Sequence, residues 1–247
     1  GGGLAGLTTA ALLARSGKAV TLFEQSSKEI GGRARTTVID GFHFNQGPHA
    51  LFLTESGDSV LKEIGIPNTG GIAANKAYLI IDGKKHEVPA EYSFLSYGKS
   101  NESWGGSNAN QFFDSLAKID FSELENVTVQ EWLDKNIHDK NFAEIIKTLV
   151  RLNTYGNDPD IQSIGSVLRQ IYVGSRSGVM YVDGGWQTFV DGLLTVAKNA
   201  NARIIMGKKA TKVKRADSSG WLVTLSDKTQ VSTKIIVLAA DPKDAYS

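Results

Sequence analysis

The chain contains no cysteine. Disulfides, thiolate metal sites and a cysteine nucleophile are therefore excluded within it, while the redox compartment stays open. It also lacks an excess of charge of either sign: 27 Lys and Arg against 26 Asp and Glu give a formal net charge of +1. No strong field is available to recruit nucleic acid or an anionic membrane. Long apolar runs are missing as well. Residues 235–240 are typical of the longest, far short of the roughly 18 residues of a membrane span. What is present is ordinary for a globular protein: 247 residues, 41% hydrophobic and 21% charged. That is enough for one large domain or two modest ones with a real core.

Function must be sought in motifs. Gly1, Gly3 and Gly6 stand as G-x-G-x-x-G, followed by residues 7–16, rich in alanine and leucine and closed by Gly17, which read as a helix. In a dinucleotide site the first glycine permits a tight turn and the second lets the backbone approach a pyrophosphate. The third lets the helix pack closely on its strand. Free N–H groups at the helix start, those of Leu4, Ala5 and Gly6, then face the phosphates. Taken alone the motif is weak. With 26 glycines in the chain, three at these offsets arise by chance roughly 0.3 times, and an ordinary glycine-rich turn is the alternative.

Context strengthens it. Residues 19–23 alternate in polarity and read as a strand. The strand ends at Glu24, eighteen residues after Gly6, where an acidic residue meets the ribose hydroxyls of an adenosine. A carboxylate there repels a 2′-phosphate, which disfavours an NADP-type adenosine. Such a motif follows a buried strand, yet the sequence opens on its first glycine. The sequence is therefore expected to be a fragment lacking its first strand. In isolation it is expected to fold poorly unless a neighbouring segment restores that strand.

A second glycine pair follows in Ile30-Gly31-Gly32-Arg33-Ala34-Arg35-Thr36. A dinucleotide pyrophosphate carries roughly two negative charges, against about half a positive charge at a helix N-terminus. Arg33, placed after two glycines, can add a forked and permanent cation. A solvated turn with incidental charge is the alternative for Arg33 and Arg35, and their place soon after Glu24 disfavours it. Asp40-Gly41 reads as a tight turn between strands at 35–39 and 42–45. His43 and His49 do not form a metal pair, because no helix presents them together and no cysteine or acid completes a set.

The stretch Val20-Thr21-Leu22-Phe23-Glu24, then Gly31-Gly32-Arg33, then Gly41-Phe42-His43-Phe44-Asn45-Gln46-Gly47-Pro48-His49 resembles a known N-terminal signature. It is that of the superfamily of FAD-dependent phytoene desaturases, protoporphyrinogen oxidases and monoamine oxidases. The resemblance implies that Glu24 binds ribose and that the segment of Gly32, Arg33 and Arg35 packs along the FAD pyrophosphate. It also implies that Gly47, Pro48 and His49 lie close to the flavin ring. NAD-dependent dehydrogenases lack a second glycine pair at this spacing, so the resemblance favours FAD over NAD, with the charge argument in support.

The middle of the chain changes character. Residues 77–81 and 84–88 flank Asp82-Gly83 as a hairpin. Residues 92–106, rich in Ser, Gly, Tyr and Trp, read as a loop suited to line or cover a pocket. Residues 108–119, 129–136 and 142–152 carry helical spacing, and Phe142, Ile145, Ile146, Leu149 and Val150 form an apolar stripe. A core-facing helix is preferred there to a substrate-channel wall or a membrane-docking face. Asn157-Asp158-Pro159-Asp160 reads as a turn that starts a helix over 161–173, its two acids as capping residues. Tyr181-Val182-Asp183-Gly184-Gly185-Trp186 precedes a helix over 187–199 and reads as a helix-start turn or a second phosphate loop. Strands follow at 203–206, 210–215, 221–225, 230–233 and 235–239, the last expected to be buried. The resemblance makes three of these a β-meander and sets the backbone of Val213 against the adenine.

The fold class expected is α/β. A Rossmann-like FAD-binding domain with a parallel sheet and an antiparallel β-meander takes residues 1–76 and 179–247, and an inserted α+β substrate domain takes 77–178. The activity implied by the resemblance is hydride removal from an apolar, isoprenoid-type small-molecule substrate to FAD. Amine or protoporphyrinogen oxidation is the enzymatic alternative, a non-catalytic flavin-binding module the alternative of another class, and an NAD-binding dehydrogenase a third. No nucleophile triad, metal set or proton-transfer pair is visible, so no catalytic residue is nominated. No nucleic-acid partner and no transmembrane span are expected. The expected setting is the cytoplasm, with peripheral membrane contact.

Overall fold

The elements form where apolar residues recur at helical or strand spacing. The computed structural model describes residues 1–53, 56–72, 77–81, 83–88, 111–112, 114–177, 179–216 and 220–246. Helix α1 (Leu4–Arg15) buries Leu7, Ala10, Ala11 and Ala14, one stripe of an i, i+3, i+4, i+7 pattern. It stops at Ser16, whose N–H reaches Leu12 O, while the Gly17 N–H reaches Ala14 O. Gly17 then turns at φ +79°, and Lys18 N–H closes on Leu13 O, the left-handed ending that glycine takes most easily.

Contacts divide the chain into two compact units, residues 1–71 with 180–247 and residues 72–179. In the first, α1 packs along α6 (Gln187–Asn199), which buries Phe189, Val190, Leu193 and Ala197. Leu7, Phe189 and Leu193 are fully buried, each contributing about 1.5–3 kcal/mol relative to exposure. Strand β1 (Thr21–Phe23) pairs in parallel with β9 (Arg203–Ile205), Leu22 opposite Ile204. The hairpin of β2 (Thr36–Ile39) and β3 (Phe42–Asn45) turns on Asp40 at φ +51° and Gly41 at φ +81°. Two consecutive positive φ values are what a type I′ turn demands. Strand β8 (Val179–Val182) stands between β4 (Ala50–Phe52) and β5 (Gly70–Ile72). Helix α2 (Ser56–Ile64) precedes β5, and its last carbonyl, Ile64 O, accepts from Arg15 Nη1 at 3.0 Å. The meander of β10 (Ala210–Arg215), β11 (Trp221–Leu225) and β12 (Gln230–Thr233) is antiparallel throughout. Helix α7 (Pro242–Tyr246) comes last.

The second unit has its own core. Helix α3 (Val129–Asn136) starts from a capping box in which Thr128 and Glu131 serve each other's backbone N–H groups. Helices α4 (Lys140–Thr154) and α5 (Ile164–Ser177) follow, and β6 (Ala77–Ile81) pairs with β7 (Lys84–Val88) as an antiparallel hairpin. The apolar stripe of α4 faces inward: Phe142, Ile146, Leu149 and Val150 are buried with Val129, Leu133, Leu168 and Ile171. That is the core-facing arrangement, not a channel wall.

The fold is therefore mixed α/β. The expected parallel sheet is represented among the described residues by the β1–β9 pair, and the meander by β10 to β12. Two expectations are corrected. Residues 235–239 form no strand and leave Ile235, Val237 and Leu238 exposed. Apolar, β-branched composition makes a strand only where a neighbour accepts its hydrogen bonds. This segment runs instead beside the first glycines, where a β-carbon on Gly1 would stand 2.6 Å from Ala239 O. The two acids of 157–160 do not cap α5, which begins only at Ile164. The Asp158 backbone carbonyl accepts from Ile161 and Gln162 instead, closing a turn. The readings for Asp82, for residues 92–106 and for 108–110 lie outside the described residues. No helix among the described residues is long and apolar enough to cross a membrane.

Candidate cofactor site

Three segments meet at the C-terminal end of β1, the end at which open α/β sheets place ligands. The first is the glycine loop. Gly3 is the N-cap of α1, extended and with no side chain capping the helix. The opening N–H groups of the helix, those of Leu4, Ala5 and Gly6, have no intrahelical acceptor. A β-carbon on Gly3 would find nothing nearer than Gly31 O at 3.9 Å, so the backbone is open on that side. Gly6 lies directly against Gly1 O, a packing that no larger residue permits.

The second segment is Glu24. Its N–H continues the parallel ladder by bonding to Ile205 O, and its carbonyl accepts from Lys208 N–H. The side chain is buried. Oε2 accepts from Gly2 N–H at 2.6 Å and Oε1 from Ser26 N–H at 2.8 Å.

The third is the turn 31–35. Gly31 N–H bonds to Gly2 O at 2.8 Å, and Gly3 and Gly31 form a parallel bridge. Gly31 and Gly32 take φ +116° and +55°. A side chain on Gly31 would also meet Val190 at 2.9 Å, so both conformation and space demand glycine there. The two arginines separate in role. Arg35 Nε donates to Gly32 O at 3.0 Å and its guanidinium pairs with Glu29, which braces the turn. Arg33 projects outward, its side chain 86% exposed and its Nη1 3.9 Å from Asp241.

Gly47 joins this group, since a β-carbon there would stand 2.5 Å from Arg33 O. Pro48 and His49 follow directly, half-buried and exposed. Val213 lies in β10 opposite Val223 and half-buried, five residues after Lys208, which bonds to Glu24. The structure thus brings together Gly1, Gly3, Leu4, Ala5, Gly6, Glu24, Gly32, Arg33, Arg35 and Gly47. Val213 follows in the meander, whose approach at Lys208 bonds to Glu24.

The Gly184-Gly185 turn is a helix start. Asn45 Oδ1 accepts from Trp186 N–H at 3.0 Å, and Thr36 Oγ1 accepts from Gln187 N–H at 3.1 Å while donating to Asn45 at 2.8 Å. His43 Nδ1 is 3.0 Å from Gly184 O. The first N–H groups of α6 are therefore satisfied by a hairpin 141 to 151 residues away in sequence, and the second-phosphate-loop alternative is set aside. Sequence reasoning missed Thr36, Asn45, Gly2 and Ser26. Only Gly2 carried a signal, being a fourth glycine at a position of the motif that any residue can occupy.

The donor set suits a dinucleotide: an uncapped helix start for a phosphate, a projecting guanidinium beside it, and a buried carboxylate at the strand end for hydroxyl groups. Among the described residues no cluster of His, Asp or Glu could hold a metal ion.

Comparison with known proteins agrees with this geometry. Residues 4–246 match the family model for flavin containing amine oxidoreductases. A 4,4'-diapolycopen-4-al dehydrogenase of Metabacillus indicus is 28% identical over 258 residues, covering 89% of this chain and 50% of its own length. A phytoene desaturase of Fusarium fujikuroi is 26% identical over 288 residues, covering 100% and 49%. The chain spans about half the length of these curated relatives. An oxidoreductase from Methanosarcina mazei shares the fold with a TM-score of 0.75, over 95% of this chain and 56% of its own, at 18% identity. The family is one of flavin-dependent oxidoreductases, and a flavin held in a dinucleotide-shaped site is FAD. By its family-model match over nearly its whole length, this chain belongs to the flavin containing amine oxidoreductase family.

Proposed function

We propose that the protein is a phytoene-desaturase-like oxidoreductase that removes hydride from an apolar, isoprenoid-type substrate. The observation that carries the reading is the meeting of the uncapped α1 start, the buried Glu24 and the projecting Arg33 at one strand end. In this reading the helix start and Arg33 hold the pyrophosphate, Glu24 takes the adenosine ribose, and Gly47 to His49 lead toward the flavin ring. Bound FAD supplies the hydride acceptor, while the protein orients the substrate and excludes side reactions. The unit of residues 1–71 and 180–247 is assigned to the cofactor, and the unit of 72–179 to the substrate. Support for an isoprenoid substrate comes from the names of the two relatives, both of which point to carotenoids or their precursors. A substrate of that kind resides in lipid, so peripheral contact with a membrane belongs to the same reading.

The test begins with the visible spectrum of the purified protein before and after denaturation. Released flavin that chromatographs as FAD is expected. Anaerobic bleaching of that flavin by an acyclic polyene, and not by primary amines, is the second expected result. Bleaching by amines alone would replace the desaturase reading with the amine oxidase one. A flavin-loaded protein bleached by neither would be a binding module.

A further inference from the structure

Gly2 occupies the first variable position of G-x-G-x-x-G, where the dinucleotide motif makes no demand. Yet it is buried, and both ends of its local backbone are engaged. Its N–H donates to Glu24 Oε2 at 2.6 Å, a short bond to a carboxylate. Its carbonyl accepts from Gly31 N–H at 2.8 Å. The other oxygen of Glu24 accepts from Ser26 N–H at 2.8 Å, and Gly3 bridges Gly31 beside it. One residue therefore connects the glycine loop, the strand-end carboxylate and the Gly31–Gly32 turn. No side chain fits at that point: a β-carbon on Gly2 would stand 2.6 Å from Ile30 Cγ1 and 3.0 Å from Glu24 Oε2.

We infer that Gly2 is a positioning residue that, with Glu24, clips the three cofactor-binding segments together before the cofactor arrives. This rests on the FAD reading only for the purpose of the clip, not for its existence. The clip and ribose binding are compatible, because an ionised carboxylate offers about four acceptor sites and the backbone takes two. Glu24 thereby has two tasks. It holds the loop in shape in the empty protein and keeps acceptor capacity free for hydroxyl groups. A pre-shaped loop loses less conformational freedom on binding, which raises affinity.

The experiment is residue-resolved amide hydrogen exchange on the cofactor-depleted protein, followed by titration with FAD. In the wild type, the amides of Ser26 and Gly31 are expected to be protected without cofactor. Exchange at the rate of an unstructured chain would overturn the inference, and this arm needs no variant that must fold. In Gly2→Ala, both amides are expected to exchange faster and FAD to bind about tenfold more weakly, the scale of one lost charge-assisted hydrogen bond. The melting temperature of the depleted protein should fall by only about 2–6 °C, with amides away from the three segments keeping their protection, which separates positioning from a general loss of stability. Wild-type FAD affinity in a folded Gly2→Ala protein would also overturn it. Protected amides in a wild-type protein that takes up no FAD would support the clip and refute the cofactor reading, so the two fail separately.

Discussion

At the scale of single residues, the proposed reading separates groups that would touch the cofactor from groups that shape its site, and the two arginines make the distinction testable. Arg33 is mostly solvent-exposed with a distant ion pair to Asp241, whereas Arg35 is bound to Glu29 and to Gly32 O. If Arg33 holds the pyrophosphate as proposed, Arg33→Ala is expected to weaken flavin binding about tenfold with little change in stability, since the other contact it loses is an exposed ion pair with Asp241. Arg35→Ala is expected to lower the stability of the cofactor-depleted protein as well, because the brace of the 31–35 turn goes with it. Measuring flavin content against the melting temperature of the depleted protein checks both. Equal behaviour of the two variants would remove the separation. Glu24→Ala combines the losses, opening the loop and deleting the acceptor, and should be the most damaging of the three. Most of these residues were legible in the sequence, because glycines, a strand-end acid and arginines at fixed spacing are local signals. The split between Arg33 and Arg35 was not legible, since Glu29 and Gly32 O compete for the side chain only once the turn has formed.

At the scale of elements, the hairpin of β2 and β3 acts as a remote cap for α6. A helix start normally finds its acceptor in the residue just before it, but Trp186, the N-cap, provides none. Asn45 and Thr36 supply those acceptors from across the unit. Asn45→Ala is therefore expected to cost about 1 kcal/mol, the ordinary worth of a cap, read as a lower urea midpoint at unchanged slope. No loss would mean that water serves the α6 start equally well. The meander carries a pH-dependent contact. Asp227 at the β11–β12 turn is held at about 2 by hydrogen bonds from the Lys208 ammonium and from Thr229. A carboxyl whose folded value lies below its unfolded value stabilises above the unfolded value and loses that contribution as pH falls. The contribution should be present at neutral pH and fade between about pH 4 and pH 2. Since the group is solvent-exposed, the effect is small and weakened by salt. Urea midpoints of wild type and Asp227→Asn should differ slightly at pH 7 and converge near pH 2; a constant difference would exclude the pair. Helices α3 and α6 and the strands β10 to β12 fall where the periodicity placed them, because each carries its own pattern. Residues 235–239 carried a strand pattern too, but pairing is decided by partners that a local pattern does not contain.

At the scale of the whole molecule, the described residues hold two separate buried clusters. One is built from α1, β1, α2 and α6, and the other from α3, α4 and α5. The first unit is discontinuous in sequence, so its core closes only when residues 1–71 and 180–247 meet. Sequence reading placed a change of character near residue 77 from composition and periodicity, whereas contacts divide the chain between 71 and 72. The contacts that close the discontinuous unit, α1 on α6 and the hairpin on the α6 start, have no local signature. A cofactor held by the first unit must stabilise that unit by mass action, by about 2.7 kcal/mol at a free concentration one hundred times its dissociation constant. The second unit contains none of the residues assigned to the cofactor and gains nothing directly. Calorimetry with and without added FAD is therefore expected to show two transitions, of which only one moves upward. Variants locate them: Leu7→Ala, a cavity in the first core, should lower the cofactor-sensitive transition. Ile146→Ala should lower the other, each by the about 2–5 kcal/mol that a fully buried aliphatic truncation costs. A single transition that shifts as a whole with FAD, and falls with either variant, would show that the two cores unfold as one cooperative body.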